Sequence, residues 1–273
     1  MLDLMLAPIA AGVVILALHT YLGLHVIARG VIFVDLAFAQ IAALGTTVGL
    51  LVGVEHGTPL SLAFSLGFTL LGALIFSFSR LEDTVVPQEA MIGITYVVAS
   101  AAVILIAGFT AEGAEHVAET MTGTLIWVSW PQIGRMAVVY AALGAFYFVF
   151  RHHFVALSVQ EAAVGRARLW DFLFYVAFGI VISFSVAIAG VLMVFSALVI
   201  PAVIAFLFTS RFIPALVLAW VVGTVALVLG VVASFAWDVA TGPLLVCVFG
   251  LALIIALLVR WVSGVRPGVT LEV

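Results

Sequence analysis

The sequence predicts an all-α fold, a polytopic membrane helix bundle of about 8–9 transmembrane helices in one domain over residues 1–273. Three observations lead there. The chain is 66% apolar and 8% charged, whereas a soluble domain carries about a quarter charged residues, so lipid is its main solvent. Apolar runs near the roughly 20 residues that cross a bilayer recur along the whole chain. Arginines and acids fall in alternating loops between those runs.

The predicted spans, in order, are 5–27, 31–54, 60–79, 89–109, 134–150, 171–189, 191–210, 212–235 and 241–260. The first has no basic flank and no small-residue cleavage site, so it reads as a span and not a signal peptide. In the second, Gly45, Gly49 and Gly53 recur every four residues; this spacing serves packing within one chain or a dimer seam. The run from Asp171 to Ser210 is too long for one span and has no polar loop, so it is divided at Gly190. The piece 121–132, with Trp127 and Trp130, is too short to cross and is predicted as an interfacial or re-entrant helix. Segment 110–133 and segment 151–170 are the longest pieces between spans, which leaves no room for a soluble domain.

Under this count Arg29, Arg80, Arg151, Arg166, Arg168, Arg211, Arg260 and Arg266 share one side, with Arg135 the exception. Asp3, Glu55, Glu112, Glu115, Glu119 and Asp238 lie on the other. The excess of arginine marks the cytoplasmic side. The chain is therefore expected in the plasma membrane, with its N-terminus outside and its C-terminus in the cytoplasm.

Composition excludes several functions. There is no lysine, hence no Walker A motif and no Schiff base. Cys247 is the only cysteine, so no intrachain disulfide or Cys-x-x-Cys site exists; inside an apolar run it reads as packing. The net charge of −4 offers no basic field for nucleic acid. Neither His-Glu-x-x-His nor Gly-x-Ser-x-Gly occurs. The chain is not expected to be an enzyme.

The polar residues that remain inside spans are candidates for an ion path, because such groups are costly in lipid. Asp35 lies about one turn into the second span; it lines a path or caps the helix start. Counted back from the turn near Arg29, His25 falls near the depth of Asp35, and His19 near Gln40. If the two helices face each other, imidazole and oxygen groups line one seam, suited to zinc, manganese or ferrous iron. The other reading is two hydrogen-bonded core histidines. Glu112, His116 and Glu119 share a face if their loop is helical; they attract a cation or balance the arginine side. Glu89 reads as an acid in a first helical turn.

Segment 157–170 is polar within an apolar chain. Its residues Glu161, Ala162 and Gly165 suit a solvated loop, a helix on the bilayer, or a helix docked closely on a cytoplasmic partner. Those residues resemble a Glu-Ala-x-x-x-Gly-like box, with the glycine one position early. "GVLMVFSALVIPAVIA" (190–205), "SFAWDVATGP" (234–243), Ile92-Gly93-Ile94-x-Tyr96 and Gly123-x-Leu125 follow further patterns. Together these resemble the membrane permeases of bacterial ABC importers for zinc, manganese and iron, over roughly residues 20–250. The resemblance implies a permease whose coupling helix, at Glu161, Ala162 and Gly165, meets a cytoplasmic ABC ATPase. It implies an extracytoplasmic metal-binding protein, a second permease copy, ATP bound by the partner subunit, and no stably bound cofactor. The cargo would be a divalent metal ion, bare or chelated. One box departs: the family's Gly-Asp-x-x-x-His is Asp35, Leu36 and Gln40 here. A proton-coupled secondary transporter is the alternative, and inverted repeats would favour it.

Overall fold

The structure is a computed structural model that describes residues 2–55, 57–79, 86–109, 113–158 and 167–264. Ten α-helices occur among them: α1 (Leu2–Arg29), α2 (Val34–Leu51), α3 (Pro59–Ser79), α4 (Gln88–Ala107), α5 (Gly113–Thr122), α6 (Trp130–Val149), α7 (Arg151–Ser158), α8 (Ala167–Phe208), α9 (Phe212–Trp237) and α10 (Thr241–Ser263). Eight of these are long and apolar enough to cross a membrane.

One of the eight is two legs. A straight α8 would be about 63 Å long, roughly twice the hydrocarbon thickness. Its residues contradict a straight rod. Phe174 packs on His25 of α1, with ring centroids 6.1 Å apart. Ser185 meets His19 at 3.1 Å. Leu198 and Ala202 then press on Gly23, between those two histidines. Phe174 and Leu198 would stand about 36 Å apart on a straight helix, yet both reach the same turns of α1. The chain therefore reverses at Gly190, whose φ of 75° and ψ of 160° lie in a region essentially reserved for glycine. The predicted division at this residue is what the structure has.

The bundle thus has nine legs, and its two ends differ. One end, the arginine end, carries Arg29, Arg168, Arg211 and Arg260. Ser77 of α3 donates to Arg168 O at 3.2 Å there, and Gln88 of α4 to Phe76 O and to Tyr175 Oη, both at 3.0 Å. The other, the glycine end, holds Gly123, Gly190 and Gly242. Helix α1 begins at the glycine end and α10 finishes at the arginine end. Arg135 sits in the second turn of α6, near the glycine end, where it remains the one exception to the arginine alternation.

Helices α1, α2 and α8 form the centre. Phe38, Phe76, Tyr175 and Phe178 make one aromatic cluster between α2, α3 and α8, and Tyr147, Phe154 and Phe174 make another between α6, α7 and α8. In lipid such contacts are held by van der Waals packing and close backbone approach. Gly45 supplies one such approach: a Cβ there would crowd Phe64 O and the Ser65 backbone of α3, while Gly49 packs on the Phe64 ring. Two of the three spaced glycines thus serve packing within the chain. The third, Gly53, follows the end of α2 in a left-handed conformation (φ 85°). Helices α4, α6 and α10 are peripheral, with wide apolar outer faces such as Val98, Leu105, Val138 and Val262. Cys247 is also exposed, on α10.

The expected helix over 121–132 is absent. Helix α5 ends at Thr122, a 3₁₀ turn occupies Leu125–Trp127, and α6 starts at Trp130. Gly123 has φ of 73°, which stops α5. Ser129 and Gln132 form a capping box, with proline at the first turn, so α6 starts there. Trp127 and Trp130 are exposed connector residues.

Candidate functional site

The glycine end brings together three of the sequence boxes. The peptide Thr122–Gly123 passes directly over Ala189–Gly190, and Gly242 lies on Thr122 O. A Cβ at any of the three glycines would overlap backbone atoms. Thr124 N donates to Ile188 O at 3.0 Å, locking the crossing. The Ser234 to Pro243 box is the turn that delivers Gly242. Ser234 Oγ lies 2.7 Å from Val239 O and 2.7 Å from Thr241 Oγ1, and Asp238 caps α9 in the left-handed region. These boxes build architecture rather than chemistry.

The polar residues predicted for an ion path divide between two places. His19 is fully buried. Its Nδ1 donates to Ile15 O at 2.8 Å, and Nε2 lies 3.1 Å from Ser185 Oγ, whose single proton also faces Val181 O at 2.8 Å. Both nitrogens face polar neighbours within the core, and neither points to a second metal-ligating side chain among the described residues. His25 is also fully buried among Tyr21, Phe174 and Phe212. Ser158 Oγ donates to Phe154 O at 2.8 Å, so it accepts from His25 Nδ1 at 2.8 Å; Nε2 has no partner among the described residues.

The predicted seam between these histidines and Asp35 with Gln40 is not formed. After the turn at Gly30 (φ 68°), α2 packs on α3, α4 and α8, whereas α1 packs on α8, α9 and α6. Equal depth does not make two helices face each other. Asp35 and Gln40 are buried within the α2 packing, away from both histidines.

Asp35 is 1% exposed. Its Oδ1 accepts from Leu36 N at 2.7 Å, and its Oδ2 has no partner among the described residues. Glu89, from the first turn of α4, reaches the same turn of α2. Its Oε1 accepts from Phe33 N at 3.3 Å, and its Oε2 is also without a partner among the described residues. Glu89 therefore caps α2 from outside, while Asp35 occupies its first turn. Among the described residues, two carboxylates each keep a buried free oxygen at the arginine end.

The acidic piece at the other end is helical from Gly113, and Glu115 and Glu119 are exposed there. Glu112 and the His116 side chain, expected to share a face with Glu119, lie outside the described residues. The same holds for Glu161, Ala162 and Gly165. No group of three or more His, Cys, Asp or Glu side chains able to hold a metal occurs among the described residues.

Sequence reasoning missed a buried ion pair. Arg29 Nη1 bonds Asp171 Oδ1 at 3.0 Å, with side chains 4% and 3% exposed. Its Nε donates to Ser158 Oγ at 3.0 Å, and its guanidinium lies 3.9 Å over the Phe174 ring. A signal existed: Asp171 is an acid at the head of a long apolar run, and an acid turned into the bundle there needs a cationic partner.

The profile of the ABC 3 transport family matches residues 1–260. The chain belongs to that family. The chain is 37% identical over 82 residues to the chelated iron transport system membrane protein YfeD of Yersinia pestis; this covers 30% of the chain and 28% of YfeD. Its fold is similar to PsaBC from Streptococcus pneumoniae, solved in complex with a Fab, with TM-score 0.75, 19% identity and coverage of 92% of this chain and 89% of that one. It is also similar to an inward-facing ABC transporter described as of the metal-chelate type, with TM-score 0.67, 18% identity and coverage of 93% and 85%. The ABC 3 family assignment agrees with the resemblance carried by the sequence boxes.

Proposed function

We propose that this chain is the permease subunit of an ABC importer that moves a divalent metal ion inward, as zinc, manganese or iron, bare or chelated. The family match over 1–260 carries this reading. The chelated-iron role printed for YfeD supports a transition-metal cargo. With no lysine, the chain lacks a Walker A motif, so a separate cytoplasmic ATPase binds and hydrolyses ATP. A second permease copy and an extracytoplasmic metal-binding protein complete the importer. The segment with Glu161, Ala162 and Gly165 meets the ATPase, so Gly165→Arg is the variant expected to block docking.

The arginine end is the cytoplasmic end. It carries Arg29, Arg168, Arg211 and Arg260, and the positive-inside rule supports this orientation. The N-terminus is then outside. Single cysteines at Arg168 and Glu115, in a Cys247→Ala background, test it with an impermeant thiol reagent on intact cells. Only the residue 115 site should label; labelling at 168 reverses the orientation.

Asp35 and Glu89 stand at the inner end of the path in this reading. Their unpartnered oxygens can take a cation that has shed part of its water, as oxygen ligands do for manganese or iron. The importer, purified with its co-purifying ATPase and reconstituted in proteoliposomes, is assayed with zinc, manganese and iron. Asp35→Asn keeps size and some capping ability. It should leave assembly and ATP hydrolysis intact and strongly reduce uptake. Unchanged uptake of all three ions would leave Asp35 a helix cap. Absence of any co-purifying ATPase would remove the ABC reading itself.

A further inference from the structure

Segment 159–166 is flanked by Ser158, the last residue of α7, and by the first turns of α8, where Asp171 lies. Both flanks are held by one side chain. Arg29 of α1 donates through Nε to Ser158 and through Nη1 to Asp171, both at 3.0 Å. His25, one turn back on α1, holds the same Ser158 Oγ at 2.8 Å. From this geometry we infer that Arg29 anchors both stems of segment 159–166 to α1 and carries ATP-driven motion from that segment into the bundle. This rests on the reading that the segment meets the ATPase.

Three arguments support the anchor over simple glue. A buried ion pair is poor glue, because removing two charges from water offsets most of their attraction, and apolar residues of similar volume often do as well. The two stems also have an apolar joint of their own. Trp170 of α8 stacks on His153 at 4.1 Å between ring centroids and packs on Phe150 and Phe154. Arg29 adds what that joint lacks, a directional link from both stems to a third helix. Finally, α1 runs the depth of the bundle and packs on both legs of α8 and on α9, so a displacement at Arg29 is passed to both through one continuous helix. Arg29 is thus a positioning residue and touches no cargo.

The test uses the complete importer with its co-purifying ATPase in proteoliposomes. It reads ATPase co-purification, ATP hydrolysis, and ions taken up per ATP for zinc, manganese and iron. Arg29→Gln should retain ATPase binding and hydrolysis while uptake per ATP falls about tenfold, within the usual range of coupling between sites. Arg29→Lys keeps the charge for Asp171 but has one nitrogen for two stems, so it should recover part of the loss. Ser158→Ala should lower uptake per ATP alone, and add nothing in the Arg29→Gln background, because contacts that act through one partner are not additive. Equal falls in hydrolysis and uptake, or additive losses, would overturn the anchor and leave Arg29 structural. If Arg29→Gln does not assemble, Arg29→Lys and Ser158→Ala decide: normal uptake per ATP in both overturns the anchor. Failure of the coupling-segment reading looks different, since Gly165→Arg would then leave ATPase binding normal.

Discussion

The two ends of the bundle are fastened by opposite chemistry. At the glycine end, three backbones cross where Gly123, Gly190 and Gly242 have no side chains to separate them. At the arginine end, Arg29, Ser158, Asp171 and His25 join three helices through side chains alone. A backbone crossing of this kind has almost no alternative geometry, because any shift brings main-chain atoms into overlap. A guanidinium held by a hydroxyl and a carboxylate can change partners at little steric cost. The first arrangement suits a fixed point, and the second suits the end that answers a moving partner.

The largest effect should come from breaking the fixed point. Gly190→Val places a β-branched residue at φ 75° and ψ 160°, where non-glycine residues are strained by about 1–3 kcal/mol before any contact is counted. Its Cβ also enters the Gly123 backbone. Together these exceed a large share of the roughly 5–15 kcal/mol that holds a typical domain folded. The expected result is loss of monodisperse protein in detergent, with Gly190→Ala intermediate in thermal stability. A Gly190→Val protein with unchanged melting temperature would mean that the reversal in α8 does not depend on this residue.

How far the sequence exposed these two ends depends on what encodes them. The nine legs were legible because apolar length and arginine alternation report directly on the bilayer. The reversal at Gly190 was legible because an apolar run from Asp171 to Ser210 cannot cross once and remain in register. The start of α6 was also written in the chain, as Ser129, Pro131 and Gln132, but the two neighbouring tryptophans drew the reading toward an interfacial helix. The seam between His19, His25, Asp35 and Gln40 failed for a different reason. Depth follows from counting residues, whereas the face a helix presents depends on which neighbours it packs against, and a turn at Gly30 sends α1 and α2 to different partners. Arg29 and Asp171 lie far apart in sequence, and nothing local announces their pairing. Arg29 was legible as a topology marker only.

The smallest effects sharpen the comparison most, because the same substitution can be made at both ends. Ser234 and Ser158 each link their surroundings through one hydroxyl. Ser234→Ala removes bonds to Val239 O and Thr241 Oγ1, and Val239 is exposed, so water can take over. The cost should be about 0.5–1.5 kcal/mol, the net value of an ordinary hydrogen bond. Ser158→Ala strands the donors of His25 and Arg29 in a buried place and should cost somewhat more, about 1–3 kcal/mol. Thermal unfolding in detergent would rank the two variants close together. Uptake per ATP should separate them, falling in Ser158→Ala and staying at the unsubstituted value in Ser234→Ala. A loss of coupling in both would mean that the glycine end also transmits motion, and the contrast between a fixed and a responsive end would be lost.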